Sequence, residues 1–122
     1  MSETAIPYPK PTAQVEQYVA VLGYPLAIRF LLTFGGAELS IAREPKSRSR
    51  LTQLVGKEKA RELAQCDHLL QRRVPLAKKW LAECLLSEGY GIADIARILR
   101  VSDVSVRKML PAELRAKARA RS

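Results

Sequence analysis

Apolar residues recur at helical spacing over most of this chain, most clearly between Ile92 and Leu110. Ile92, Ile95, Ala96 and Leu99 share one face of a helix expected from about Ala93 to Leu99. Arg100 and Val101 form a turn, and a second helix is expected from Asp103 to Leu110, burying Val106, Met109 and Leu110. Ser102 stands at its N-cap, where the side-chain oxygen can accept from a backbone N–H two or three residues on. Glycine often fills such a turn; Arg100 takes the left-handed conformation only at a modest steric cost. The pattern is that of a helix-turn-helix, whose second helix enters the DNA major groove. Two short helices that only pack together share it.

Upstream, Leu76 to Ser87 is expected as a helix with Leu76, Trp80, Leu81, Cys84 and Leu85 buried, completing a trihelical head. Trp80 is expected as a core anchor rather than a platform for a base. Nearer the start, Pro7, Pro9 and Pro11 make residues 1–11 an extended arm. Thr12 can cap a helix carrying Val15, Tyr18, Val19 and Leu22, which Gly23 ends. Pro25 opens a nearly all-apolar helix, Leu26 to Thr33, broken by Gly35 and Gly36. Ala37 to Arg43 alternates as a short strand would, with Leu39 and Ile41 on one side. After a polar loop at residues 44–49, helical spacing returns from Arg50 to Gln65 with Gly56 as an interruption. His68 to Leu76 reads as a second strand closed by Pro75.

An offset of about 33 residues places Gly23 on Gly56, Ala27 on Ala60 and Ile41 on Val74. Duplication and chance similarity between two helix-to-strand units both account for so thin an echo. A duplicated unit would let its two short strands pair, a marginal sheet needing cover from helices or a second subunit. The expected fold is therefore mainly α, with a C-terminal trihelical head and an N-terminal helical domain carrying one or two short strands. The boundaries fall at an arm, 1–11; an assembly domain, 12–75; the head, 76–111; and a basic tail, 112–122.

Charge adds a partner to this picture. The chain has 122 residues and a formal net charge of +9. Residues 1–42 hold two basic and three acidic groups, and residues 43–122 hold the remaining 19 basic and nine acidic ones. Such an excess attracts phosphate in a salt-dependent way. The tail, with Arg115, Lys117, Arg119 and Arg121, can begin as a helix and fray, contacting phosphate or remaining solvated. With no apolar run long enough to cross a bilayer and no signal-peptide pattern, a cytoplasmic, nucleoid-associated protein without a membrane partner is expected.

Little else offers chemistry. Cys66 and Cys84 read as reduced thiols, and Cys66, His68 and Cys84 lack the paired spacing and fourth ligand of a zinc site. No nucleophile accompanies His68, and Gly35-Gly36 follows a helix where a phosphate-cradling loop would precede one. Neither an enzyme nor a cofactor is expected.

The segment GYPLAIRFLLTFGGAELSIAR, with EGYGIADIARILRVSDVSVRKML, resembles the Mor transcription-activator family of Mu-like bacteriophages over most of residues 21–110. The family's strand carries an aromatic residue and then a proline, where this chain has Ser40 and Ala42. The resemblance implies a homodimer that activates promoters by binding double-stranded DNA and contacting RNA polymerase. It makes Ser102 to Lys108 the groove-reading segment and Gly35 to Ile41 the dimer strand. The candidate dimer residues are Leu26, Phe30, Phe34, Leu39 and Ile41.

From the residues themselves, Ser105, Arg107 and Lys108 are expected nearest base edges or phosphates, beside Ser102 and Asp103, with Val104 meeting a thymine methyl. Arg97, Arg100, Arg115 and Lys117 face the backbone. An accessory protein of phage-type DNA packaging or recombination could use the same head. Whether binding activates or represses, and whether the chain pairs or folds on itself, stays open.

Overall fold

The structure is a computed structural model describing residues 6–39, 41, 46 and 48–121. Among these residues there are eight α-helices, one short 3-10 turn and no sheet. The chain divides into two compact units, Pro11–Ala77 and a second formed by the N-terminal residues up to Lys10 together with Lys78–Ser122.

The first unit holds α1 (Glu16–Leu22), α2 (Tyr24–Phe34), α3 (Arg50–Val55), α4 (Lys57–Gln65) and the 3-10 turn Asp67–Leu69. Its helices come as two pairs, each hinged on a single glycine. Gly23, at φ 79°, donates to the Val19 carbonyl at 2.8 Å and accepts from the Ala27 N–H at 2.9 Å. Gly56, at φ 87°, donates to the Thr52 carbonyl at 2.8 Å and accepts from the Ala60 N–H at 3.0 Å. An L side chain is strained at that φ, so glycine ends one helix and starts the next in both places. Gly56 therefore splits the single helix expected from Arg50 to Gln65 into two. Ala27 and Ala60, the residues matched by the 33-residue offset, are both fully buried.

The core of this unit gathers Val15, Tyr18, Ala27, Phe30, Leu31 and Leu63, all buried. Tyr18 stacks on Phe30 with centroids 5.0 Å apart, and Phe30 meets Phe34 at 5.2 Å. At the start of α1 the cap differs from expectation. The Thr12 backbone carbonyl, rather than its side chain, accepts from Val15 and Glu16 at 3.0 Å, and the helix begins four residues later.

The two expected strands are corrected by the structure. Their pairing contracts to one antiparallel bridge between Glu38 and Arg73, flanked by Gly36 N–H to Val74 carbonyl at 2.7 Å and Val74 N–H to Ala37 carbonyl at 2.9 Å. Pro75 has no N–H with which to extend the ladder, and the 3-10 turn takes up the start of His68 to Leu76. Ser40 and residues 42–43 of the first expected strand lie outside the described residues.

The second unit is built on α5 (Lys78–Ser87), α6 (Ile92–Leu99), α7 (Asp103–Met109) and α8 (Ala112–Arg121). Helix α5 starts two residues later than the pattern suggests, because Ala77 sits at φ 49°. Leu76 is consequently 54% exposed rather than part of the buried face. Trp80, Leu81, Cys84, Leu85 and Leu86 are buried on α5, which packs on α6 and α7, where Ile95, Leu99 and Val106 are buried too; Leu110 is also buried, whereas Met109 is only half-buried.

Residues 6–10 of the expected arm belong to this unit. Three hydrogen bonds fasten them to α5 and its end. The Trp80 indole N–H donates to the Lys10 carbonyl at 3.2 Å. The Ser87 hydroxyl donates to the Ile6 carbonyl at 2.7 Å, and the Tyr8 hydroxyl donates to Glu88 Oε2 at 2.8 Å. The Ile6 side chain is buried here. Trp80 is thus a core residue, with its one polar atom satisfied as a buried indole requires.

Candidate nucleic-acid interface

The turn between α6 and α7 fixes how the second helix is presented. Arg100 lies in the left-handed region, at φ 59° and ψ 49°. Around it the Val101 N–H reaches the Ala96 carbonyl at 3.0 Å and the Arg100 N–H reaches the Arg97 carbonyl at 3.3 Å. These are the two crossed bonds of a Schellman ending, which consume carbonyls the helix would leave orphaned. Two residues later Ser102 Oγ accepts the Ser105 N–H at 3.1 Å and lies 3.0 Å from Ser105 Oγ. One helix is stopped and the next started within three residues.

Helix α7 then divides sharply into two faces. Val106 and the following Leu110 are buried, while Asp103, Val104, Arg107 and Lys108 are exposed. At 100° per residue those four fall on one arc of about 140°, and the buried Val106 lies outside it. Val104 is 57% exposed, an apolar side chain held outward in the middle of that arc.

The candidate DNA residues do not all share this face. Ser102 is exposed and Ser105 half-buried, and their hydroxyls hydrogen-bond each other, so their geometry serves the cap. Arg97 is exposed and pairs with Asp94 one turn earlier on α6. Arg100 projects from the turn and is exposed; on α8, Lys117 is exposed and Arg115 half-buried. Arg107 lies within the exposed arc and also lines a cleft with Arg115 and Arg119. Sequence reasoning named Arg119 only as one of the tail's basic residues and did not group it with Arg107. Its signal was the four-residue spacing from Arg115, which puts both on one face of a helix.

Charge is shared rather than concentrated. Residues 43–77 carry nine basic and four acidic groups, and residues 78–122 carry ten and five. The basic excess of residues 43–122 is therefore shared between the two units.

Of the candidate dimer residues, Phe30 and Phe34 are buried in the core of their own unit, and the Arg50 guanidinium covers Phe34 at 5.3 Å from the ring centroid. A second chain has no access to those rings in this state. Leu26, Leu39 and Ile41 are half-buried and keep some surface. Leu32, on the exposed stripe of α2, is 39% exposed and was missed because the whole helix reads as apolar.

Burial pushes the Cys84 thiol well above the ordinary thiol range, and burial also raises Cys66. Tyr18 is pushed up to about 12 by burial. Among the described residues no three His, Cys, Asp or Glu side chains are grouped so as to hold a metal ion, and no helix is long and apolar enough to cross a membrane.

The chain matches no protein-family model, no curated protein and no solved structure.

Proposed function

We propose that the chain is a sequence-specific, double-stranded DNA-binding transcriptional regulator, an activator of phage or prophage type resembling the Mor family. In this reading α6, the Arg100 turn and α7 are a helix-turn-helix, α5 is its supporting helix, and α7 enters the major groove. The observation that carries it is the single exposed arc of Asp103, Val104, Arg107 and Lys108, backed by the buried Val106 and Leu110. A groove-reading helix needs this division, with an apolar back and a front mixing a donor, an acceptor and a methyl-bearing side chain.

Val104 meets a thymine methyl, while Lys108 and Asp103 address base edges. Arg97, Arg100 and Lys117 face the backbone. A seven-residue helix spans only a few base pairs, so a homodimer reading two half-sites about one DNA turn apart supplies the specificity. Leu26, Leu32, Leu39 and Ile41 are among the apolar positions with surface left for such pairing. A contact with RNA polymerase and a place on the nucleoid follow from the resemblance.

Selection of bound duplexes from a random pool tests the reading. Enrichment of a palindrome with half-sites about 10 base pairs apart is expected. Lys108→Ala should relax preference at one position of each half-site, at a cost of about 1–3 kcal/mol. Failure to enrich any sequence, with the folded chain in excess, would refute the proposal.

A further inference from the structure

The tail helix walls a cleft. Gly89, Gly91 and Ile92 from the junction of α5 and α6, Arg107 from α7, and Arg115 and Arg119 from α8 surround a space of about 590 Å³. Three guanidinium-bearing side chains from two helices thus line one concavity, and no carboxylate is among the described residues lining it. At the glycine edge of the cleft, the neighbouring acidic side chains are engaged elsewhere: Glu88 accepts from Tyr8, and Asp94 pairs with Arg97.

Arg115 Nε is buried and has no hydrogen-bond partner. A buried N–H on a charged group is costly unless an acceptor meets it, so native structures rarely leave one unmatched. Several like charges around one space also repel, and the repulsion grows as water is excluded. A single bound anion answers both problems. It supplies the missing acceptor and neutralises the cluster, and guanidinium groups match the oxygens of a phosphate in pairs. The floor is open, because a side chain added at Gly89 or Gly91 would meet nothing within 4 Å. The volume lies within the range of small-molecule sites, enough for a phosphate and part of what carries it.

We infer that this cleft is a phosphate-binding site, with Arg115 as its anchor and Arg107 and Arg119 at its sides. Two sources share that chemistry, a backbone phosphodiester of bound DNA and a free phosphorylated small molecule. The first rests on the DNA reading above; the second stands without it.

The test is a titration of the full chain, labelled with ¹⁵N, with inorganic phosphate against chloride at constant ionic strength. Saturable shifts are expected at the Arg115 Nε–H and at the amides of Gly89 and Gly91. Arg115→Gln should weaken the affinity at least tenfold, and Arg29→Gln, in the other unit, should leave it unchanged. Arg119→Gln serves if the first variant loses its fold, and is expected to weaken binding in the same direction. Shifts that rise linearly and equally over all arginines, or variants that bind phosphate as the parent does, overturn the proposal.

A second arm adds a random-sequence duplex. If the cleft resonances move and phosphate displaces the duplex, the source is the DNA backbone. If phosphate saturates the cleft while the duplex leaves it unmoved, the site takes a free phosphorylated molecule. In that arm, a duplex that fails to bind at all counts against the groove-reading helix and not against the cleft.

Discussion

Replacing Arg100 by glycine separates the cost of the turn from the charge it carries. A non-glycine residue at φ 59° and ψ 49° bears a steric penalty of about 1–2 kcal/mol, which glycine escapes. Glycine also loosens the unfolded chain, giving back about 0.4–1 kcal/mol. Arg100 is exposed, and its backbone bonds to Arg97 and from Val101 to Ala96 do not depend on its side chain. The net expectation is a gain of about 0.5–1 kcal/mol, or roughly 2–6 °C in Tm for a chain of this size. Arg100→Val should fall below the parent, because a β-branched residue tolerates that region worst. Arg100→Lys keeps both the charge and the strain, and should match the parent. Thermal unfolding followed by circular dichroism ranks the four proteins. A glycine variant less stable than the parent, or a valine variant equal to it, would refute the account of the turn. The same variants measure the charge: glycine, but not lysine, should flatten the salt dependence of duplex binding by about one phosphate contact.

Three further outcomes are expected. Gly35→Ala should destabilise the first unit by about 2 kcal/mol in chemical denaturation, because its Cβ would stand 2.6 Å from the Leu31 carbonyl oxygen and 3.3 Å from that of Pro75. Both neighbours are backbone and cannot swing aside, so an unchanged midpoint would disprove the close approach. With a thiol reagent at neutral pH, half-buried Cys66 should be modified well before buried Cys84, which reacts at the rate of unfolding; equal rates would contradict the burial. The Tyr8 hydroxyl is raised to about 12, chiefly by its hydrogen bond to Glu88. Its folded-state value lies above the unfolded one near 10, so its contribution is whole below pH 10 and fades as pH climbs towards 12. Tyr8→Phe should make stability flatter across that window, and a parallel decline in both proteins would exclude the linkage.

What could be read from sequence follows the range of the forces involved. Helix periodicity, the Ser102 cap and the unusual Arg100 depend on neighbours within a turn or two, and all three are legible in the residues. The hinges at Gly23 and Gly56 were visible as residues, but Gly56 read as a blemish in one helix until its φ showed two. The strands failed because alternation in Ala37 to Arg43 signals only a two-sided environment, whereas a ladder also needs donors on the partner, and Pro75 removes one. Phe30 and Phe34 suggested pairing because apolar surface all around α2 asks for cover, yet Tyr18, Leu63 and the guanidinium of Arg50 lie in the same chain. The arginine cleft was least legible. It depends on α8, after Pro111, bringing Arg115 and Arg119 to the same cleft as Arg107, and no local spacing records that.

The fastening of residues 6–10 to α5 bears on how the protein is made. The segment that covers Trp80 is synthesised about seventy residues before its partner, and the whole of Pro11–Ala77 is threaded between the two. Closing a loop of that length costs about 4 kcal/mol in chain entropy, which early folding of the intervening unit would lower by drawing its ends together. On the ribosome the first unit can therefore finish while the second still waits for its last helices. A fragment cut at residue 76 would carry every residue of the reading helix and still lack the strip that seals its own support.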